Sequence, residues 1–220
     1  WEFAHRAYDA GAVLAHLPRA VAWHDGPEWA ERTGGDRERK NLEALMLSSR
    51  ITDPAARTHG LVYAVPEIVV VVECAGHSSA SLLATVGSVL RERDCAVWLD
   101  GSDAASLREQ WGDVDPRVHL GRPGDTGRSH MVVHVRGLVL FGEHALRRMM
   151  ATGADRMTVD VGGCGVVECR SSRSSARAAR WADALGRDRL DAAEGLFGHM
   201  HRTAVEFGIS TGEHQPNLSW

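Results

Sequence analysis

The side chains best placed to contact a ligand stand in two polar segments, each of which directly follows an apolar run. Cys74 and Ala75 open the first segment, and Asp100 and Asp103 stand at the ends of the second. Carboxylates accept hydrogen bonds from a ligand, and the backbone of a turn offers N–H and C=O groups. These segments form a predicted ligand site, on condition that the fold brings them together.

The elements predicted around these two segments indicate that the fold brings them together. Residues 68–72 are apolar without alternation and β-branched throughout, as expected for a strand buried on both faces of a parallel sheet. Ser78 offers helix-capping chemistry, and apolar residues at helical spacing follow it up to Leu90. A second apolar strand at 95–99 completes a β-α-β unit. Both polar segments then lie at the carboxyl ends of neighbouring strands, the edge where open α/β sheets bind ligands.

The composition argues against several classes of function. The 220 residues are 44% hydrophobic, enough for one core and an attached piece, and the net charge of -4 leaves no basic surplus for nucleic acid. No apolar run approaches the roughly 20 residues that cross a bilayer, so we expect no transmembrane segment. Four cysteines without paired spacing indicate reduced thiols and a cytoplasmic protein. Because the chain begins at Trp1 in helix-like sequence, we expect it to be part of a longer polypeptide.

The string GHSSA at 76–80 nearly matches the nucleophile elbow of α/β-hydrolases and lies between a strand and a helix. In that interpretation Ser78 is the nucleophile, with Asp100 or Asp103 as the acid and His134 as the base. However, an alanine replaces the second glycine, and the polar sequence before the motif offers no strands for an oxyanion loop. The sequence therefore favours Ser78 as a helix cap, with a hydrolase as the third hypothesis.

Two other patterns could bind phosphate. Residues 121–129 (GRPGDTGRS) are similar to a phosphate loop, but the glycine spacing is one residue too long and an arginine replaces the lysine. We expect Arg170, Arg173, Arg177 and Arg180 on a solvated helix face, with phosphate binding as the alternative.

The residue pattern of the C-terminal third predicts a helix at 143–150, a hairpin at 157–169 and a final helix at 191–207. His199 and His201 would then point to different sides of the final helix, which argues against a shared metal.

The string EFAHRAYDAGAVLAHLPRAVAWHDG at the N-terminus resembles the region after the catalytic carboxylate in inverting family 2 glycosyltransferases with the GT-A fold. Those enzymes have an acidic pair, then a helix of the form E-x-x-x-R-x-x-x-x-G, then a histidine, matched here by Glu2, Arg6, Gly11 and His24. The resemblance implies that the acidic pair, with the general base, lies upstream of this chain and that Glu2 neighbours the site. It makes His24 a candidate ligand of the metal-diphosphate, while a strand-end histidine bonded to backbone is an equal alternative.

The second unit resembles the opening of another domain of the same family. Family 2 domains begin with a V-V-I-P-x-Y-N strand, a helix ending in S-V-L and a strand closing in D-D-G-S-x-D; this chain has IVVVVECAGH, LLATVGSVL and VWLDGSD. By this resemblance Asp100 accepts a hydrogen bond from uracil, the backbone near Cys74 and Ala75 flanks the nucleoside, and Asp103 belongs to the same nucleotide site.

This chain departs from the family where the metal binds. Family members have a strand ending in D-x-D, whose carboxylates hold the cation that neutralises the leaving diphosphate. Here His134-Val135-Arg136 occupies that place. The second unit is therefore expected to be a degenerate GT-A domain that has lost its metal site.

The sequence thus predicts an α/β protein with three αβα layers and a mostly parallel sheet, of the nucleotide-diphospho-sugar transferase type. Residues 1–64 are expected to be the end of one GT-A domain, comprising its acceptor side and a connector, and 65–220 a degenerate second one. The resemblance implies sugar transfer from a nucleotide-sugar donor to a hydroxyl acceptor, Mn²⁺ or Mg²⁺ in the parent enzyme, and contact with an upstream catalytic domain. A non-catalytic packing or regulatory module is the second hypothesis.

Overall fold

A computed structural model of the chain describes residues 2–21, 34–53, 56–57, 61–111, 115–124 and 129–212. The predicted metal ligand His24 lies outside these ranges. Within them, no helix has both the length and the apolar character needed to cross a bilayer.

The helices and strands are numbered in chain order. The helices are α1 (Glu2–Asp9), α2 (Gly34–Ser48), α3 (Ser79–Val89), α4 (Ala104–Trp111), α5 (Ala145–Ala151), α6 (Ser172–Leu185), α7 (Arg189–Phe197) and α8 (Ala204–Phe207). The strands are β1 (Ile68–Glu73), β2 (Cys95–Asp100), β3 (Val118–Leu120), β4 (Met131–Gly137), β5 (Val139–Phe141), β6 (Arg156–Asp160), β7 (Gly165–Ser171), β8 (Met200–Thr203) and β9 (Ile209–Thr211).

Most of the strands form one sheet in the order β3-β2-β1-β4-β7-β6-β8. The half made of β3, β2, β1 and β4 is entirely parallel. β7 is antiparallel to its neighbours β4 and β6, and β8 is parallel to β6. Parallel pairings therefore outnumber antiparallel ones in this sheet, which confirms the predicted mostly parallel α/β fold. β5 and β9 form a separate antiparallel pair.

Helices lie on both faces of this sheet. α3, α4 and α5 pack on the face to which Val70 contributes, where the main core forms. On the other face, Val69, Val71 and Val132 form a smaller cluster, while α6 and α7 pack over β7 and β6. Because β1 is buried on both faces, its sequence does not alternate between apolar and polar residues. The predicted αβα layering is confirmed.

The helix predicted at 191–207 is wrong. α7 ends at Phe197 because Gly198 adopts a φ of +72°, a conformation that a helix cannot continue through. β8 follows and pairs with β6 at the sheet edge. A new short helix, α8, then begins after Thr203, which forms a capping box with Glu206. The predicted hairpin and the helix near 143–150 are confirmed by the β6–β7 pair and by α5.

The two C-terminal histidines consequently lie near each other, contrary to the prediction. The ring centroids of His199 and His201 are 4.2 Å apart, and the His199 Nε2 atom lies 2.8 Å from the hydroxyl of Thr158. Nevertheless, the described ranges contain no group of three or more His, Cys, Asp or Glu residues placed to hold a metal.

The N-terminal segment packs against the sheet domain through α1 and α6. Gly11 lies so close to α6 that a Cβ atom on it would be 2.7 Å from the backbone N of Arg177. The guanidinium of Arg173 lies over the ring of Tyr8, 4.1 Å from its centroid, and Arg177 donates to the carbonyl of Ala12 at 3.2 Å. The expected solvated helix face is therefore wrong for these two arginines, which bind the N-terminal segment. It is also wrong for Arg170, which lies on β7, whereas Arg180 is exposed on α6 as expected. The domain boundary at residue 64 stays a prediction.

Candidate functional site

The two polar segments of the β-α-β unit meet at the carboxyl edge of the parallel strands. Glu73 pairs in register with Asp100, and the N–H of Cys74 donates to the carbonyl of Asp100 at 2.8 Å. Gly101 has a φ of +137°, and a Cβ on it would be 3.4 Å from the backbone N of Ala75. The sequence thus places glycine where the two turns approach most closely.

A cavity of about 400 Å³ opens beside these turns, on the face of the sheet opposite α3. We call it the edge cavity. Its polar lining is supplied by the ends of three parallel strands and by the segment that follows β3: Glu73, Asp100, Arg122, His134 and Arg136. A volume of this size is within the usual range for small-molecule sites. The edge cavity is therefore the strongest candidate site in the described part of the chain.

Asp100 lines the edge cavity, and its carboxylate forms an ion pair there. Arg122 Nε lies 2.8 Å from Asp100 Oδ2, and the Arg122 side chain is 82% exposed. Exposed ion pairs of this kind contribute about 0–1 kcal/mol, so a ligand can displace one at little cost. Asp103 is exposed at the start of α4 and accepts a hydrogen bond from the Ser102 hydroxyl at 3.2 Å.

Cys74 can contribute only its backbone to ligand binding. Burial, together with the smaller effect of the negative charges of Asp100, Asp103 and Glu73, raises the pKa of its thiol to about 11. At neutral pH the thiol is protonated, and it is neither a nucleophile nor a metal ligand.

His134 lies half-buried in the edge cavity among arginines. Burial lowers its pKa, and the positive charges of Arg170, Arg136 and Arg122 act in the same direction, with Glu168 acting against them. His134 is therefore neutral at pH 7, able to donate one hydrogen bond and accept another.

The structure does not bring every predicted site residue to the edge cavity. Asp100 contributes to its lining, whereas Cys74, Ala75 and Asp103 lie in the adjoining turns, outside the lining. Glu2 lies on α1, ion-paired with Arg6 at 2.6 Å, and is not part of the lining of the edge cavity. Its predicted place near a catalytic base stays a prediction. Conversely, sequence reasoning assigned no role to Arg122, which lies in the segment rejected as a phosphate loop. The signal for His134 and Arg136 was their spacing of two residues on β4, which directs both side chains to the same face of the sheet.

A smaller cavity of about 200 Å³ lies between β6, β7, α6 and α7. We call it the helix cavity; Arg156, Arg170 and Arg189 contribute to its lining. Arg156 and Arg170 are paired across β6 and β7, and Glu194 lies 3.3 Å from Arg156. It is the second place where an anion could bind.

Ser78 is used as a helix cap. It adopts extended backbone angles, and its hydroxyl accepts from the N–H of Ser81 at 3.2 Å and contacts the Ser81 hydroxyl at 2.8 Å. The hydrogen bonds of its side chain in the described residues thus go to Ser81 and not to a histidine. This geometry supports the capping role over the hydrolase hypothesis.

We expect Ser78→Ala to lower the free energy of unfolding by about 1 kcal/mol, the usual cost of losing an N-cap hydroxyl. Urea denaturation measures this change. Ser106→Ala, at an exposed position on α4, is the control and should stay within about 0.5 kcal/mol. A fluorophosphonate probe should leave the wild type unlabelled. Labelling that disappears in Ser78→Ala would restore the hydrolase.

Comparison with known proteins gives a structural likeness only. No family model and no curated protein matches the sequence. Among solved structures, a crystal structure of 4-diphosphocytidyl-2C-methyl-D-erythritol synthase is similar, with 12% sequence identity and a TM-score of 0.37. The match covers 64% of this chain and 91% of that chain.

Proposed function

We propose that residues 65–220 are a GT-A-like domain that binds a uridine nucleotide in the edge cavity. In this proposal the Asp100 carboxylate accepts the imide N–H of uracil, the backbone of Cys74 and Ala75 flanks the nucleoside, and Asp103 lies beside it. The polypeptide to which the domain belongs would transfer a sugar from a nucleotide-sugar donor to a hydroxyl acceptor.

The observation that carries the proposal is the place of Asp100. Its carboxylate lies at the carboxyl end of β2, in register with Glu73 of β1, and lines a cavity at the edge where parallel α/β sheets bind ligands. In the described residues it has one ion pair, with the exposed Arg122, and this leaves acceptor capacity for a ligand N–H. Uracil presents such a donor, whereas cytosine has an acceptor at the same ring position and would be repelled.

A non-catalytic module is the second candidate, and one observation favours it. β4 ends with His134 and Arg136 at the edge cavity, where the family pattern requires carboxylates. A domain with this lining can bind a nucleotide and still lack the groups for transfer. The two candidates share the nucleotide site and differ in turnover. Release of UDP from a nucleotide-sugar in the presence of acceptor would favour the enzyme, and binding without release the module.

We expect Asp100→Ala to weaken UDP binding by about tenfold or more, because hydrogen bonds to a charged group contribute about 1.5–3 kcal/mol. Isothermal titration calorimetry on the full chain measures this loss. The wild type should bind UDP more tightly than CDP, and the variant should lose this preference. Asp183→Ala, which removes an exposed carboxylate on α6, is the matched control and should bind like the wild type. An Asp100→Ala variant with unchanged affinity and preference would refute the proposed site.

A further inference from the structure

The end of β4 presents basic side chains where an acidic pair is expected. His134 and Arg136 are two residues apart on one strand, so both side chains project towards the edge cavity. The Arg136 side chain is 59% exposed. Arg122 enters the same cavity from the segment after β3. Two guanidinium groups and one imidazole therefore line the cavity in which the phosphates of a nucleotide bound at Asp100 would lie, alongside the carboxylates of Glu73 and Asp100.

A divalent cation does not fit this set of groups. Asp100 is already bound to Arg122 at 2.8 Å. Glu168, opposite His134 on β7, is bound to Arg170 at 3.0 Å and to Arg136 at 3.4 Å. A doubly charged cation would have to displace these arginines from their carboxylates and would then be repelled by them at short range.

The remaining donors do not make a metal site either. Glu73 is an exposed carboxylate at the end of β1, and His134 supplies one imidazole. Among the described residues, no third His, Cys, Asp or Glu is placed with these two to complete a metal site. Two ligands are fewer than a structural or catalytic metal centre normally uses.

We propose that Arg122 and Arg136, with His134 between them, bind the diphosphate of the nucleotide directly and without a divalent cation. This inference rests on the proposed uridine nucleotide site. Arginine suits the task because its planar fork donates two hydrogen bonds to phosphate oxygens and is always charged. His134 adds an uncharged donor that costs no additional repulsion between positive groups.

Arg122 also links the two ends of the site. It now pairs with Asp100, and this exposed pair is weak enough for a phosphate to take its place. When Arg122 turns to the phosphate, the Asp100 carboxylate is released for the uracil N–H. The phosphate and the base therefore bind cooperatively, since each takes one partner of the same ion pair.

Calorimetric titration of the full chain with UDP and with uridine, each in EDTA and in Mn²⁺, tests the proposal. We expect UDP to bind in EDTA with an affinity within about twofold of that in Mn²⁺. Arg136→Ala should weaken UDP binding by about tenfold and leave uridine binding unchanged, because only UDP carries the phosphates. Arg122→Ala should weaken UDP but strengthen uridine, since it frees Asp100. Arg180→Ala, at an exposed position on α6, is the control and should change neither.

The outcomes separate this inference from the proposed function. UDP binding that requires Mn²⁺, or that is unchanged in Arg136→Ala, overturns the direct phosphate contact and leaves the uridine site standing. UDP binding in EDTA that depends on Arg136 but not on Asp100 supports the phosphate contact and overturns the uracil site. Failure of UDP and uridine to bind under any of these conditions overturns both.

Discussion

Replacing Arg57 by alanine is expected to lower the free energy of unfolding by about 3–5 kcal/mol, the usual cost of breaking a buried ion pair. The Arg57 side chain is 3% exposed and its partner Asp94 8%, with 2.8 Å between Arg57 Nη1 and Asp94 Oδ2. The same guanidinium donates to the backbone carbonyls of Ser48, Ile51 and Val65 at 2.8–3.0 Å. Alanine removes this donor from every one of these acceptors, and the residues Ser48, Ile51 and Asp94 are buried.

Asp94 extends this network into the sheet. Its Oδ1 accepts from the N–H of Glu67 at 3.1 Å, directly before β1. The Arg57 pair therefore fixes the connector against the strand on which the edge cavity is built. Asp94→Ala should be similarly destabilising, and the double variant should lose less than the sum of the two, because each single change leaves one charge buried alone.

Urea denaturation followed by circular dichroism measures these changes. The control is Arg39→Ala on α2, where the arginine is 79% exposed and bonds Glu43 at 3.2 Å. Such an i,i+4 pair contributes about 0.3–0.5 kcal/mol. If Arg57→Ala cost no more than Arg39→Ala, the connector would not be packed on the sheet as described.

Phe141→Ala is expected to cost about 3–5 kcal/mol, as for other fully buried phenylalanines. Phe141 is 2% exposed in the main core, at the end of β5 and beneath α3. Its backbone N–H donates to the hydroxyl of Ser88 on α3 at 3.0 Å. Its partner across the β5–β9 pair is Ile209, also buried, so the loss would loosen the attachment of the C-terminal strand.

Phe3→Ala is the matched control, because Phe3 lies on α1 and is 75% exposed. Substitutions at such positions usually stay within about 0.5 kcal/mol. Equal losses in the two variants, measured by thermal or urea unfolding, would contradict the placement of β5 and β9 against the main core.

The β1-α3-β2 unit could be predicted from the sequence because each of its signals is local and consistent. The uniform β-branched run, the serine cap and the helical spacing all indicate the same structure, and the register of β1 and β2 then brings Cys74 and Asp100 together. The break at Gly198 is also local. However, the apolar residues on either side of it keep the helical spacing, and this spacing wrongly predicts one continuous final helix.

The charges of the edge cavity could not be predicted in the same way. Arg122 and Asp100 are far apart along the chain, and their contact depends on where the segment after β3 turns. Arg136 and Glu168 meet only because β4 and β7 pair in an antiparallel register, which no spacing in either strand specifies. Contacts of this kind are set by tertiary packing.

The measurement that tests the central claim most directly is a two-dimensional ¹⁵N-¹H NMR titration of the labelled chain with UDP in EDTA. The account predicts progressive shifts at the backbone amides of Cys74, Ala75 and Gly101, together with those of His134 and Arg136, and predicts that Asp100→Ala needs about tenfold more UDP for the same shifts. Shifts confined to the helix cavity around Arg156, or a spectrum that stays unchanged with excess UDP both in EDTA and after addition of Mg²⁺, would contradict it.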